Sequence, residues 1–456
     1  MQKLLTLSEK ISKYLIAAVL VIVPLLPKFP FIKVPGTYVA IRFEDALMFI
    51  LGLTLIPKFV VDIKKIWKDK IISAILIFFA ATLVSLLAGA FLTDTLTLKI
   101  GLLHWARRIE YMVPFLAAYL LTPKEKVREN LEFYLKVLVI VVSVVFVYGI
   151  GQRYFNFPVI ITQNEEYSKG IALRWTPGAH INSTFAGHYD LSGFMVFIMP
   201  ILLGILFSIK GKLPKLALLL ASGMGLWLLI SSVSRTAQVT YLLAITITLF
   251  ILKKYKSWLA VALISVVCMF MSSGLDARFS QAIRYLHQRV VSKGGVSYIV
   301  PRFSAKAAGE SVTAAATSAP AVGINDVSIS IRYNVEWPRA IRAFYKNPLL
   351  GTGYSSIDLA TDNDYLRMLG ETGILGFLAF ALIFLNIGKE FLRANKFKEK
   401  FDLPEKGFLA GVFGGFVGIG ATAFMIDLFE ASKFAIILWL FLGVAVSLIK
   451  NKLNEN

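Results

Sequence analysis

Cysteine, histidine and charged residues are scarce in this sequence of 456 residues. The single cysteine, Cys268, can form neither an internal disulfide nor a thiolate metal cluster. With only four histidines, we expect no metal site and no other cofactor. Charged residues make up 17% of the chain, below the roughly 25% typical of soluble domains. This scarcity excludes a soluble enzyme, a disordered chain and a disulfide-rich scaffold.

Hydrophobic residues, by contrast, make up 57% of the chain, and they are grouped in long runs. A membrane-spanning helix needs about 20 apolar residues. The pattern predicts an all-α polytopic integral membrane protein with about twelve transmembrane helices and one large, partly helical extracytoplasmic loop. The twelve runs lie near 14–29, 44–61, 71–92, 102–121, 133–155, 189–209, 214–232, 236–252, 257–273, 373–390, 407–426 and 431–449.

The net charge of +20 is distributed in a way that indicates membrane topology. Lysine and arginine are concentrated in alternate short loops, such as 58–70, 210–215 and 389–406. Because basic loops remain on the cytoplasmic side, both termini are predicted to be cytoplasmic. The basic excess therefore predicts contact with membrane lipids and no nucleic-acid partner.

The predicted topology divides the chain into three parts. Residues 1–273 contain nine helices and an outer loop at 155–188, residues 274–372 form the large outer loop, and residues 373–456 contain the last three helices. Within the large loop, 278–293 is predicted to be an amphipathic helix, which lies either at the membrane interface or against the outer mouth of the bundle. Residues 304–323 are small, polar and low in complexity.

Arginines follow this low-complexity stretch. Helical spacing places Arg332, Glu336 and Arg339 on one face, with Arg342 beside them, and Pro338 is positioned to start the second half of a broken helix. The planar fork of arginine suits a diphosphate, since it donates paired hydrogen bonds and keeps its charge when buried. The alternative is a solvated charged face with a Glu336–Arg339 pair.

Three further polar residues occupy the predicted outer surface. Asp362 precedes a short helix and is either a general base or the N-cap of that helix. Arg235 lies at the outer turn between two apolar runs, where an arginine either has a function or extends its charged end to the surface. His188 lies with Arg174 in the shorter outer loop, and it has either a structural role or a role in a functional site at the outer surface.

The order of several motifs resembles the superfamily of O-antigen ligases and Wzy-type O-antigen polymerases, which are polytopic, GT-C-like bacterial glycosyltransferases. The resemblance covers roughly residues 170–385. In the ligase pattern, a histidine and a small polar residue are followed after nine residues by glycine, and after two more by a second glycine. The matching residues are Thr184-Phe185, Ser234-Arg235, Arg332 with Trp337 and Ala340, Pro348-Leu349, Gly351 and Gly353, and then Asn363, Gly373 and Gly376.

This resemblance implies a metal-independent, inverting enzyme of the bacterial inner membrane. It would transfer a glycan from an undecaprenyl (polyprenyl) diphosphate donor to an acceptor hydroxyl, either on lipid A core or on a growing polysaccharide, at the outer face. The implied catalytic residues are Asp362, Arg235 and Arg332. The implied residues for diphosphate or glycan binding are Arg339, Arg174, His188, Asn363 and Arg342.

One position departs from the ligase pattern, because Asp362 stands where the family has histidine. The role of that histidine in activating the acceptor carries over only if a carboxylate can take it, which burial of the carboxylate would favour. A repeat-unit polymerase or a protein-glycosylating enzyme is then expected as much as a ligase. The rival class is a flippase or transporter of lipid-linked glycans, although the sequence shows no repeated halves.

Overall fold

The computed structural model describes residues 2–27, 32–33, 40–159, 179–271, 330–357 and 360–453. Within these residues the only regular elements besides helices are two short antiparallel strands, β1 (Ile32–Lys33) and β2 (Ala40–Ile41), in which Ile32 pairs with Ile41. The predicted helix at 278–293, the low-complexity stretch at 304–323 and Arg174 lie outside the described residues.

Thirteen α-helices make up most of the described chain. They are α1 (Gln2–Leu25), α2 (Phe43–Trp67), α3 (Lys70–Phe91), α4 (Leu98–Leu120), α5 (Val127–Tyr154), α6 (His188–Leu206), α7 (Lys212–Ser231), α8 (Arg235–Ile251), α9 (Tyr255–Phe270), α10 (Trp337–Lys346), α11 (Asp364–Lys396), α12 (Leu403–Thr422) and α13 (Ser432–Leu453).

Each of the twelve apolar runs coincides with a helix, and the thirteenth helix, α10, comes from the arginine-bearing segment. By length and apolar composition, α2, α3, α5, α6, α7, α11 and α13 can cross a membrane. The chain is therefore an integral membrane protein. Helices α8 and α9 have 17 and 16 residues, or about 25 Å each, which is shorter than the roughly 30 Å hydrocarbon core. The count of twelve spans stays a prediction.

Two helices form the centre of the bundle. The apolar stretch of α13 is wholly buried, and that of α6 is almost wholly buried. Helix α12 packs closely on α6 and α8 because it presents glycines at the contacts: a Cβ on Gly407 would meet the backbone of Gly204, and one on Gly414 would meet Thr248. Small residues allow such close approach of membrane helices.

A kink in α11 joins this helix to the preceding loop. Gly373 has φ +64°, and Gly351 in the loop has φ +74°. A Cβ on either residue would lie about 2.5 Å from the other's backbone nitrogen. The loop amides of Thr352 and Gly353 donate to the carbonyls of Gly370 and Glu371 at 3.0 and 2.7 Å. Both glycines are thus required for the loop to lie against the start of α11.

The arginine-bearing segment is one continuous helix rather than two halves. A π-helical turn at Arg332–Glu336 runs directly into α10, with the amide of Trp337 donating to the carbonyl of Arg332. Pro338 lies at the start of α10 and has no N–H to donate to the preceding turn. The proline therefore accounts for the local widening, and the break predicted at this position is corrected to a π turn.

Candidate active site

The outer segment and the start of α11 meet at an ion pair. Arg332 Nη2 donates to Asp362 Oδ2 at 2.6 Å, and the arginine is 6% exposed. Asp362 belongs to the short connection before α11 and adopts φ +48°, a conformation that aspartate tolerates better than most residues. Two residues thirty positions apart, both singled out in the sequence, are therefore in direct contact.

Asp362 is not the N-cap of α11. The cap is Asn363, whose side-chain oxygen accepts from the amide of Leu366 at 3.0 Å. The capping alternative for Asp362 is therefore wrong, because its left-handed backbone turns its carboxylate toward Arg332. The capping bond gives the buried Asn363 a structural role, and its role in substrate binding stays a prediction.

A third residue, Asp427, holds the chain on both sides of Asp362. Its carboxylate accepts from the amides of Thr361 at 2.8 Å and Asn363 at 2.9 Å, and from Arg367 at 3.3 Å. Asp427 lies in the connection between α12 and α13. One aspartate between two apolar runs has no distinguishing pattern, so the sequence alone does not identify Asp427 as part of the site.

Tyrosine and histidine side chains extend the cluster from the start of α6. The hydroxyl of Tyr189 accepts from Arg332 Nη2 at 3.2 Å. The ring of His188 lies 4.0 Å from that of Tyr189 and is stacked on His180 at 3.8 Å. The predicted site residue His188 is thus linked to Arg332 through Tyr189, a residue that no sequence pattern identifies.

Two carboxyl groups at this site, those of Asp362 and Glu336, have raised pKa values. Burial raises the pKa of Asp362 most, the Arg332 guanidinium opposes this, and the charge of Asp427 adds to it. Burial and the neighbouring charge of Asp362 raise the pKa of Glu336 to about 7, against the opposing effects of Arg332 and Arg339. Glu336 therefore lies in the field of the cluster and titrates near neutral pH.

The other predicted arginines have different surroundings. Arg339 is half-buried, and its Nη1, shielded from solvent, has no hydrogen-bond partner among the described residues. Arg342 is exposed on α10. Arg235 is the first residue of α8, after the capping residue Ser234, and is half-buried.

Contacts of α8 and α12 place Arg235 at the same end of the bundle as Asp362. Thr240, in the second turn of α8, hydrogen-bonds to Thr422 at the end of α12 at 2.7 Å. The carbonyl of the next residue, Ala423, accepts from the amide of Asp364 at 2.9 Å. Arg235 and the cluster therefore lie at the same end of the bundle.

A buried ionic layer lies beneath this cluster. Arg367 pairs with Glu371 at 3.6 Å and with Glu430 at 3.5 Å, in addition to Asp427. Arg108 of α4 pairs with Glu430 and donates to the carbonyl of Phe429 at 2.8 Å. Charged groups buried in a membrane protein persist when they are paired. This layer therefore fixes the α12–α13 connection that carries Asp427.

Asp364 faces away from Asp362. Its carboxylate accepts from the amides of Leu428 and Phe429 at 2.7 and 3.1 Å. No group of three or more histidine, cysteine or acidic side chains suited to a metal occurs in the described part of the chain.

A helical bundle with several membrane-spanning helices and a buried arginine–carboxylate cluster at one end defines the class of the protein as a polytopic membrane protein. Residues 216–381 match the family model described as O-antigen ligase. This match confirms the resemblance seen in the sequence: over these residues the chain is similar to the O-antigen ligase family. No curated protein matches the chain. The matched range includes Arg235, Arg332 and Asp362, whereas Tyr189 and Asp427 lie outside it.

Proposed function

We propose that the protein transfers a glycan from a polyprenyl diphosphate to an acceptor hydroxyl, with inversion and without a metal ion. The observation that carries this proposal is the buried Arg332–Asp362 pair within the residues that match the O-antigen ligase family. The lipid-linked donor and a lipid or glycan acceptor are the partners that this family implies in general.

In the proposed reaction, the Asp362 carboxylate takes the proton of the acceptor hydroxyl as its oxygen attacks the anomeric carbon. The bond from that carbon to the diphosphate oxygen breaks, and the diphosphate leaves with the electron pair. Arg332, Arg339 and Arg235 stabilise the developing negative charge. Burial supports the role of Asp362, because its raised pKa makes it a stronger base than a solvated aspartate.

Two further predicted binding residues are assigned roles in substrate binding. His188 approaches the Arg332–Asp362 pair through Tyr189, and the exposed Arg342 is available to contact a glycan or a lipid head group. We further propose that the chain crosses the bacterial inner membrane twelve times, with both termini cytoplasmic and the cluster on the extracytoplasmic face. Alternating basic loops and the twelve helices that coincide with apolar runs support this arrangement.

A purified-protein assay tests the proposal. The protein is incubated with a polyprenyl diphosphate-linked glycan and a glycan or lipid A core acceptor, and products are separated by mass. Glycan joined to acceptor, with an equal amount of polyprenyl diphosphate released, is the expected result. Unchanged donor that crosses a liposome membrane would instead indicate a flippase.

Deletion of the gene then distinguishes between the possible acceptors. Loss of all long chains from lipid A core indicates a ligase, whereas lipid A core that carries only a single repeat unit indicates a polymerase.

A further inference from the structure

A cavity of about 430 Å³ opens at the end of the bundle opposite Asp362. Asp362 precedes the first residue of α11, whereas the cavity is lined by the last turns of the same helix, including Phe391 and Leu392. Phe207 after α6, Leu252 after α8 and Leu409 of α12 complete its wall. This is the face that the sequence predicts to be cytoplasmic.

The lining of the cavity is divided by chemical type. Buried apolar side chains, including Phe391, Phe401 and Leu409, form its floor. Lys253, Lys254 and Lys398 are exposed at its edge, and the half-exposed Lys406 completes a set of four lysines. Glu399 is the single acidic residue in the lining. The cavity therefore combines an apolar interior with a net positive edge.

These four lysines differ from the cations at the other end of the bundle. None of them forms an ion pair with a described residue, whereas Arg332 and Arg367 both pair with carboxylates. Several lysines at the edge of one cavity give it a net positive charge, which attracts a negatively charged ligand. A small inorganic anion does not need the apolar floor, and a neutral acyl chain does not need the lysines.

We propose that this cavity binds an anionic phospholipid, with the phosphate among the four lysines and an acyl chain against the apolar floor. The cytoplasmic leaflet of a membrane is rich in anionic lipids, and lysines near such a surface favour binding. The charge complementarity and the apolar floor together select this ligand. The inference does not depend on the glycan-transfer activity.

Native mass spectrometry of the full-length protein in detergent, titrated with phosphatidylglycerol, tests the proposal. Each lysine near an anionic lipid contributes roughly fivefold in affinity. The double variant Lys254→Gln/Lys406→Gln is therefore expected to bind phosphatidylglycerol more weakly by on the order of 25-fold. The variant Lys212→Gln/Lys215→Gln has the same net charge change on the same face but does not alter the cavity lining, and it should retain wild-type affinity.

Three comparisons decide between the possible ligands. Phosphatidylcholine should bind more weakly than phosphatidylglycerol, and glycerol 3-phosphate, which has no acyl chain, should not compete. Leu392→Ser, a change at an exposed apolar position of the lining, should weaken phospholipid binding while the melting temperature is kept. Equal binding of phosphatidylcholine, full competition by glycerol 3-phosphate, or equal losses in the two lysine variants would each overturn the proposal.

Discussion

The basic side chains near the two ends of α11 differ in residue type and in burial. Near its start, Arg332 is buried and donates to Asp362 at 2.6 Å. Near its end, Lys398 and its neighbours are largely exposed and surround an apolar cavity. A buried guanidinium in a hydrogen-bonded cluster keeps a fixed geometry, whereas exposed ammonium groups act as adaptable point charges. The basic residues behind the net charge of +20 thus occur in two settings. At one end of the bundle they form part of a site with fixed geometry, and at the other they surround the proposed lipid-binding cavity.

The largest effect is expected for the carboxylate at the first of these ends. Asp362→Asn removes the proton acceptor and should lower the transfer rate by about 10²- to 10⁴-fold, the usual contribution of a general base. Glu399→Gln, the matched change at the opposite end of the bundle, should leave transfer unaffected. Initial rates of glycan transfer by the two purified variants measure the difference. Near-normal transfer by the Asp362 variant would rule out its role as the base.

Arg332→Lys keeps the positive charge but removes the planar fork. The ammonium cannot bond to Asp362, to Tyr189 and to a leaving diphosphate in the same geometry, so transfer should fall by about 10²-fold. Arg393→Lys, at the far end of α11, serves as the control and should retain activity. If lysine at position 332 supports the wild-type rate, charge alone is sufficient there and the geometric argument fails.

Asp427→Asn tests a residue that positions Asp362 by accepting from the backbone amides on either side of it. The amide can replace only one of the two carboxylate oxygens that accept from Thr361 and Asn363, so the rate should fall about tenfold, the order of one hydrogen bond to a charged group. Removal of the negative charge also lowers the pKa of Asp362. The acid limb of the pH–rate profile should therefore move to lower pH, and an unmoved limb would contradict electrostatic coupling.

The smallest expected effect is the contribution of Glu336 to the pH dependence of folding stability. Burial raises its pKa from the ordinary value of about 4.5 to about 7 in the folded protein, so the folded state binds more protons between these values. Wild-type stability should decrease as the pH rises from about 4.5 through 7. Glu336→Gln cannot ionise and should lack this part of the decrease, so its melting temperature should exceed that of the wild type by more at pH 8 than at pH 5. Parallel melting curves at both pH values would contradict the assignment.

Much of the helical framework could be predicted from the sequence, because apolar runs of about 20 residues have few alternatives to a helix in a membrane. The positions of Arg332 and Asp362 in the order of family motifs also identified both partners of the central ion pair. Their roles stay predictions. The π turn before α10 was not foreseen, since proline is compatible with either a break or a local widening of the helix.

Contacts between parts of the chain that are distant in sequence explain why the cap at Asn363 and the roles of Asp427 and Tyr189 could not be predicted. The choice of Asn363 rather than Asp362 as the cap depends on the left-handed backbone at 362, and that backbone is held by Asp427 from another connection. Tyr189 follows a histidine at the start of a helix, where an aromatic residue has many structural uses. Neither residue acquires significance until the helices are packed together.

A double-mutant cycle on the glycan-transfer rate tests most directly whether Arg332 and Asp362 act as one unit. The variants are Arg332→Ala, Asp362→Asn and the combination, with the wild type as reference. Residues that act as a unit give strongly non-additive losses. We predict that the double variant is about as slow as the slower single variant. Losses that multiply, as for two independent residues, would contradict a shared active site at this end of the bundle.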